Sequence, residues 1–405
     1  MTAPPDLDLD GLRHRRLGHL RDHLGSAGIE LAVLTNPVSI RYATGYRGYA
    51  TFQSRIPSQY LLVPVEGPVV LHGAYTDDLS TVDRCDVAHS VTGFDAGLDF
   101  ELAAKRFAGD IAVAASDAGL DVSTATIGVE RSTPTGHRAL ELAGLHIADI
   151  EPTVELARSR KLVEEMPALR YAIAVAELGM AHMHAALEPG MTENRLFAIL
   201  HQTNIAHDGD WIDGRMLCSG PRTNPWYQEA SARVIEAGDL VAFDTDMVGP
   251  FGYCADISRT WTSSGNPTVE QRDLHARALE EIAHNTELLR PGASFLELSQ
   301  AAFRHPERFV KNRYACVYHG VGMSDEYPKI PYRQDWHWTG YDGELEAGTV
   351  LSVESYVGAE RGREGVKLEQ MVQVNEDGVV PLSTFPTGLQ PELPPIHDPT
   401  TGVTT

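Results

Sequence analysis

The sequence predicts a chain in two parts: an α/β amino-terminal domain over residues 1–154 and a second domain over residues 155–385. A proline-rich tail over residues 386–405 follows. Three observations carry this division. Short apolar runs bounded by turn residues alternate with helically spaced segments through the first 150 residues, the signature of an α/β unit. The pattern breaks at Glu151, Pro152 and Thr153. Beyond the break, glycine-punctuated runs of strand type hold most of the acidic residues and histidines that could do chemistry.

Leu12, Leu17, Leu20 and Leu24 recur at roughly helical spacing and stop at Gly25, Ser26 and Gly28, so a first helix ends there. The apolar run 29–34, bounded by Thr35, Asn36 and Pro37, reads as a strand, as do 60–63, 69–71 and 127–130. Helical stretches at 102–119 and 138–142 alternate with them. No G-x-G-x-x-G follows any of these strands, which removes the usual dinucleotide reading. A long helix is expected over 167–187, with Pro167 tolerable because it falls in the first turn. In the second half, residues 240–243 and 349–354 read as apolar strands. The last twenty residues include Pro391, Pro394, Pro395 and Pro399 and show no helix or strand period, so a surface-hugging or disordered tail is expected.

Composition narrows the function classes. Lysine and arginine total 33 against 56 aspartate and glutamate, a formal charge of −23 that disfavours nucleic acid and anionic lipid as partners. At 42% hydrophobic and 22% charged, the chain belongs with globular proteins. The four cysteines, Cys85, Cys218, Cys254 and Cys316, have no C-x-x-C spacing. The first ten residues lack the order of a signal peptide, and no apolar stretch approaches membrane-spanning length. A cytoplasmic protein without membrane contact is the expectation.

The segment DLVAFDTDMVGPFGYCADISRTW places Asp244 and Asp246 at the end of an apolar strand. A hairpin through Gly249, Pro250 and Gly252 returns Asp256 beside them. Three carboxylates this close repel unless a cation sits among them, although a solvated acidic turn reads equally well from this segment alone. Further on, His319 lies in YHGVG, Glu354 in VLSVES and Glu369 in VKLEQMV. Both glutamates sit in apolar runs, where an unpaired charge costs several kcal/mol, on the order of 2 to 7. Five carboxylates and one imidazole form the donor set of a two-cation site.

The order Asp, Asp, His, Glu, Glu resembles that of the pita-bread metalloenzymes: methionine aminopeptidase, prolidase, aminopeptidase P and creatinase. The stretches ARSRKLVEEMPALRYA, EPGMTENRL, CSGPRTNP and GDLVAFDTD are similar to that family's landmarks over residues 155–385. NPVSIRYATGY resembles the amino-terminal domain of the creatinase and prolidase branch. The resemblance implies an α+β pita-bread catalytic domain, a homodimer, and Asp246, Asp256, His319, Glu354 and Glu369 as metal ligands, with Asp244 an additional one. Two departures stand out. The histidines that peptidases carry after the SGPR-like and HGxG segments are missing, replaced by Asn224-Pro225-Trp226-Tyr227 and by Met323-Ser324-Asp325-Glu326. The Asp-Thr-Asp hairpin is also one residue off the peptidase spacing.

One branch has these departures: the dimethylsulfoniopropionate lyases built on this fold, whose FDTDM…GYCADISRTW and HGVG…DE patterns this sequence resembles. That resemblance implies a β-elimination from a small zwitterion, giving dimethyl sulfide and acrylate. It also implies Asp325 as general base and Tyr314 as a second catalytic and substrate-binding residue. Asp325 is expected to be buried beside aromatic rings, near the other carboxylates and the cations. Trp226, Trp336 and Trp338 are candidates, with Tyr314, to face the onium group, because aromatic faces attract cations. Tyr332 and Tyr341 belong to the same aromatic stretch. The metals are two divalent ions, with iron expected and manganese or zinc also suited to the donors.

Several features invite other readings. His182 and His184 fall two apart in a helix and so point to nearly opposite sides. His201, His207, Asp208 and Asp210 read as a loop beside the site. Two rival functions stay open: a metal-dependent hydrolase of a small amide, such as a Xaa-Pro dipeptide, a cyclic amidine or a creatine-like compound, and a non-catalytic binding protein on the same scaffold.

Overall fold

The computed structural model describes residues 7–76 and 78–393. The chain divides into two compact units, Asp8–Arg158 and the chain from Ser159 onward. In the first, α1 (Leu9–Ser26) starts where the Asp8 carboxylate accepts the Gly11 amide at 2.9 Å, and it buries Leu12, Leu17, Leu20 and Leu24. Strand β1 (Leu31–Leu34) leads into α2 (Pro37–Thr44), which has Pro37 in its first turn and ends on Gly45 at φ 75°. The short α3 (Ala50–Arg55) precedes β2 (Tyr60–Pro64), β3 (Val70–His72) and β4 (Arg84–Asp86). Then come α4 (Phe100–Asp117), β5 (Thr126–Val129), α5 (Pro134–Leu142) and β6 (His146–Asp149).

The six strands form one mixed sheet in the order β4-β3-β2-β1-β5-β6, with β1, β5 and β6 mutually parallel. Leu31, Val33, Leu62 and Ile127 from the sheet pack with Phe107 and Ile111 of α4. One expectation fails here. The break read at Glu151 and Pro152 is the start of α6 (Glu151–Ser159). Pro152 stands in a first turn, where its missing N–H costs nothing, and the Glu151 amide donates to the Asp149 carboxylate at 2.9 Å. This helix carries the first unit to Arg158, past the expected boundary at 154.

The second unit opens with α7 (Met166–Ala186), Pro167 in its first turn, packed against α8 (Glu193–Ala206). Its strands are β7 (Trp211–Ile212), β8 (Leu217–Ser219), β9 (Leu240–Asp244), β10 (Met247–Val248), β11 (Cys254–Ala255) and β12 (Ser258–Thr262). After α9 (Val269–Glu287), α10 (Phe295–Ala301) and α11 (Glu307–Val310) come β13 (Tyr318–Val321), β14 (Asp325–Ile330) and α12 (Trp336–Thr339). Long β15 (Val350–Gly358) and β16 (Gly365–Asn375) and short β17 (Gly378–Pro381) complete it.

A five-stranded antiparallel sheet, β14-β13-β15-β16-β17, meets the sheet β12-β9-β8, while β11-β10-β7 forms a third. β12 and β16 are stitched where the Lys367 amide donates to Thr260 Oγ1 at 3.0 Å and that hydroxyl donates to the Lys367 carbonyl at 2.8 Å. α9 covers β15 and β16 from outside. The start of the expected tail is packed: Leu389 is buried, and its carbonyl accepts the Thr262 amide at 2.8 Å. Residues 394–405, with Pro394, Pro395 and Pro399, lie outside the described residues.

Candidate metal centre

Pairing register assembles the site. Glu354 on β15 stands directly opposite Glu369 on β16, and His319 on β13 pairs with Ser352, so three candidate ligand side chains come from adjacent strands. From the other sheet, Asp244 is the last residue of β9 and pairs with Ser258. Thr245 then clips the acidic turn to the returning chain. Its hydroxyl donates to the Ala255 carbonyl at 2.7 Å and accepts the Ile257 amide at 3.0 Å, bracketing Asp256. Asp246 takes φ 39°, a left-handed conformation uncommon outside glycine, and Gly214 leaves room for its carboxylate, since a Cβ there would fall 2.8 Å from Oδ2.

The side chains converge. His319 Nε2 lies 3.2 Å from Glu354 Oε1, 3.6 Å from Glu369 Oε1 and 3.6 Å from Asp256 Oδ2. Donor atoms of Asp244, Asp256 and Glu369 fall within 4.8 Å of one another, as do those of His319, Glu354 and Glu369, and those of Asp256, His319 and Asp325. Asp246 joins none of these groups among the described residues, although the charges of Asp244, Glu369 and Asp325 act on it.

Lys367 is the residue that sequence reasoning missed. Its side chain is fully buried, with Nζ 2.7 Å from Glu354 Oε2, 3.1 Å from Glu369 Oε2 and 3.1 Å from Asp244 Oδ2, and it donates to Ser258 Oγ at 2.6 Å. The signal was present: two apart on a strand, Lys367 and Glu369 share a face, so an ammonium had to enter wherever Glu369 pointed. The ammonium takes one oxygen of each of these three carboxylates. Asp244 Oδ1, Asp256 Oδ1 and Glu369 Oε1 stay buried without a hydrogen-bond partner, a state that costs about 1–3 kcal/mol each, and more for a charged group, unless a ligand fills it. Orphaned carboxylate oxygens aimed at one centre, with an imidazole beside them, fit a dinuclear site for divalent cations.

The electrostatics agree. Burial drives Asp244 up to about 6, with Glu369 adding to the rise and Lys367 opposing it. Burial and then Glu369 push Glu354 up to about 7. Asp246 and Asp256 are pushed well above the usual range, by burial first and then by neighbouring carboxylates. Burial opposes the charge of Glu369 too, yet Lys367 and His319 overcome it and hold this carboxyl well below its ordinary value. For His319, burial is outweighed by Asp325, Glu354 and Glu369, which hold the imidazole well above its usual pKa. Such crowded carboxylates ionise together only when positive charge is supplied.

Asp325 opens β14 at the rim, its Oδ1 3.8 Å from His319 Nδ1. It is not buried, as had been expected: its side chain is 72% exposed, because strand alternation sends Asp325 outward and Glu326 inward. Glu326 is buried against Lys161 at 3.0 Å. Where a peptidase histidine was sought, Asn224 donates to the Ala359 and Gly362 carbonyls at 2.8 and 2.9 Å. Asp213, also unforeseen, is raised by burial and by Asp325, and its amide donates to the Asp246 carbonyl at 2.8 Å.

The aromatic candidates separate. Tyr314 and Trp226 are brought together above Lys367, whose Nζ lies 4.5 Å and 5.9 Å from their ring centroids, so both rings already face a resident cation. Burial, then Glu354, Asp244 and Glu369, push the Tyr314 hydroxyl well above its ordinary pKa, and it stays protonated. Tyr314 also lines a cavity of about 420 Å³ together with Arg313, Lys329, Trp338 and Tyr341. Trp336 instead packs on the core around Phe295, and Tyr332 is buried with its hydroxyl donating to Glu281 Oε1 at 2.7 Å. The histidine pair divides as its spacing requires: His182 contacts Thr203, and His184 meets the Trp261 ring edge-on. His201 lines a separate cavity of about 260 Å³ with Trp211, His207 bonds the Thr203 carbonyl, and Asp208 and Asp210 follow in the loop after α8.

Residues 167–376 match the metallopeptidase family M24, and residues 16–160 match the creatinase/prolidase N-terminal domain. The chain belongs to metallopeptidase family M24. It is 33% identical over 397 residues to the dimethylsulfoniopropionate lyase DddP of Roseobacter denitrificans, covering 95% of this chain and 88% of that one. It is also 33% identical to DddP of Roseovarius nubinhibens over 94% of this chain and 87% of the relative. The structure resembles the Xaa-Pro dipeptidase from Bacillus anthracis with a TM-score of 0.72 at 22% identity, over 93% of this chain and 99% of that one, a likeness of fold. The fold is thus an α/β amino-terminal domain joined to an α+β pita-bread domain, and this family member is an enzyme, not a bare binding scaffold. Among the described residues, no helix is long and apolar enough to cross a membrane.

Proposed function

We propose that the protein is a metal-dependent carbon–sulfur lyase that cleaves dimethylsulfoniopropionate, or a similar onium carboxylate, by β-elimination. The observation that carries this reading is the position of Asp325: an exposed carboxylate at the rim of the metal cluster, 3.8 Å from His319, where a peptidase needs a histidine. Similarity to two lyases at 33% identity across nearly the whole chain supports it.

Asp244, Asp246, Asp256, His319, Glu354 and Glu369 hold the metals in this reading. Five carboxylates and the Lys367 ammonium leave a formal charge of −4, which two divalent cations cancel. Bound there, such cations supply electrophilic stabilisation for negative charge building beside a carboxylate. Asp325 removes the proton from the carbon next to the substrate carboxylate. That electron pair forms the new double bond as the carbon–sulfur bond breaks, and the bonding pair leaves on sulfur. Sulfonium becomes neutral dimethyl sulfide and needs no proton, so a base without a partner acid suffices. Protonated Tyr314 and exposed Trp338 line the adjoining cavity, and Trp338 offers a ring face to the onium end, worth about 0.5–2 kcal/mol.

Iron is the metal this reading assigns, since mixed carboxylate and imidazole donors suit it as they do manganese and zinc. The assembly is a homodimer acting on a small zwitterion. Its compartment is the cytoplasm, a placement supported by four free cysteines. The test offers the metal-loaded protein dimethylsulfoniopropionate and, separately, a Xaa-Pro dipeptide. Dimethyl sulfide from the first with the second left intact supports the lyase; a cleaved dipeptide with no dimethyl sulfide replaces it with the hydrolase.

A further inference from the structure

Directly after Asp325 comes a second carboxylate that does none of the chemistry above. Glu326 is 1% exposed at its side chain, and its Oε2 lies 3.0 Å from Nζ of Lys161, itself 2% exposed. Its other oxygen accepts the Met323 amide at 2.8 Å. The turn between His319 and Asp325 therefore closes on the Glu326 carboxylate. Gly322 is shaped to it, for a Cβ there would fall 2.3 Å from Glu326 Oε1, and the Gly322 carbonyl accepts the Cys254 amide at 2.7 Å, two residues before Asp256. Lys161 is anchored in turn, its amide donating to the Gly348 carbonyl at 3.0 Å just before β15. The β13–β14 register shifts between His319 and Gly320, so this turn decides where Asp325 meets the imidazole.

A buried ion pair is a poor way to gain stability, because apolar residues of equal volume do as well or better. What it supplies is a fixed geometry. We infer that Lys161 and Glu326 are positioning residues: their ion pair sets the register of the 322–326 turn and so holds the Asp325 carboxylate at its working place beside His319. This inference rests on Asp325 being the base.

The test is the charge-free double variant Lys161→Met/Glu326→Met, with Glu326→Gln as a near-isosteric second variant that keeps an acceptor for the Met323 amide. Each is expected to keep wild-type metal content and substrate KM within about twofold and to lose tenfold or more in kcat on dimethylsulfoniopropionate, and the double variant, which has lost the acceptor, is expected to exchange the Met323 amide proton faster. In an Asp325→Asn background the same changes are expected to cost nothing further, because there is no base left to misplace. A purely structural role would instead multiply the two losses and overturn the proposal. Wild-type kcat in both pair variants, with Asp325→Asn inactive, overturns the pair's role alone. Wild-type turnover in Asp325→Asn overturns the base assignment and the pair's role with it.

Discussion

Replacing Lys367 with methionine removes an ammonium that touches three cage carboxylates, at 2.7, 3.1 and 3.1 Å, in a fully buried position. Methionine matches its length, so the change is one of charge. Breaking a buried ion pair by deleting one partner costs about 3–5 kcal/mol, since the partner charge stays buried and uncompensated. For a folding unit of this size, each kcal/mol moves the melting temperature by about 2–4 °C, which gives a loss of roughly 6–20 °C in metal-free protein. The loss depends on pH with a definite sign. Asp244, at about 6, and Glu354, at about 7, are mostly protonated at pH 5 and charged at pH 8. Lys367 therefore faces fewer charges in acid, and the variant's deficit is larger at pH 8. Bound metal supplies positive charge to the same carboxylates, so the metal-saturated variant loses less than the metal-free one. Differential scanning calorimetry at both pH values, with and without metal, measures all of this. A metal-free variant melting within about 2 °C of wild type at pH 8 would refute the compensating role of Lys367.

Three more outcomes follow from the same geometry. Asp256 belongs to two of the three donor groups, so Asp256→Ala is expected to lose bound metal and activity together, read by elemental analysis, and full metal content would count against its role as ligand. In the metal-free protein, Asp244 and Glu354 titrate above their unfolded values, so the folded state binds more protons than the unfolded between about pH 4 and 7 and these groups lower stability as pH rises through that window. Metal uptake near pH 6 must then release protons; calorimetry in buffers of different ionisation enthalpy detects them, and no buffer dependence would contradict the shifts. Asp325→Asn keeps the shape and removes the basicity, so turnover should fall about a hundredfold or more with metal content unchanged, and near-wild-type turnover would place the base elsewhere.

The sequence carried more of the site's membership than of its electrostatics. Carboxylates inside apolar runs cannot be left unpaired, so Glu354 and Glu369 were legible as candidate ligands before any strand pairing was known. Lys367 was overlooked although it shares a face with Glu369, because a lysine in an apolar run reads as a strand's outward position until the neighbouring strands bring Asp244 and Glu354 to its ammonium. Asp325 had been expected to be buried; the alternation along β14 turns it outward and gives the inward place to Glu326, a choice of face that one residue of register decides. Helix α6 was hidden by Pro152, a breaker in a helix interior and a harmless residue in a first turn. The aromatic candidates could not be separated for a similar reason: composition places rings near the site, but only packing distinguishes Trp338, which is 81% exposed, from Trp336, which packs on the core.

The central claim is that Asp325 and the metal cage together carry out an elimination, and product stoichiometry tests it most directly. Metal-loaded protein is given dimethylsulfoniopropionate, dimethyl sulfide is measured in the headspace, and acrylate is measured in solution. Equimolar dimethyl sulfide and acrylate, abolished by chelation and restored by added metal, is the predicted result. No dimethyl sulfide from fully metal-loaded wild-type protein, or the same yield after chelation, contradicts the account.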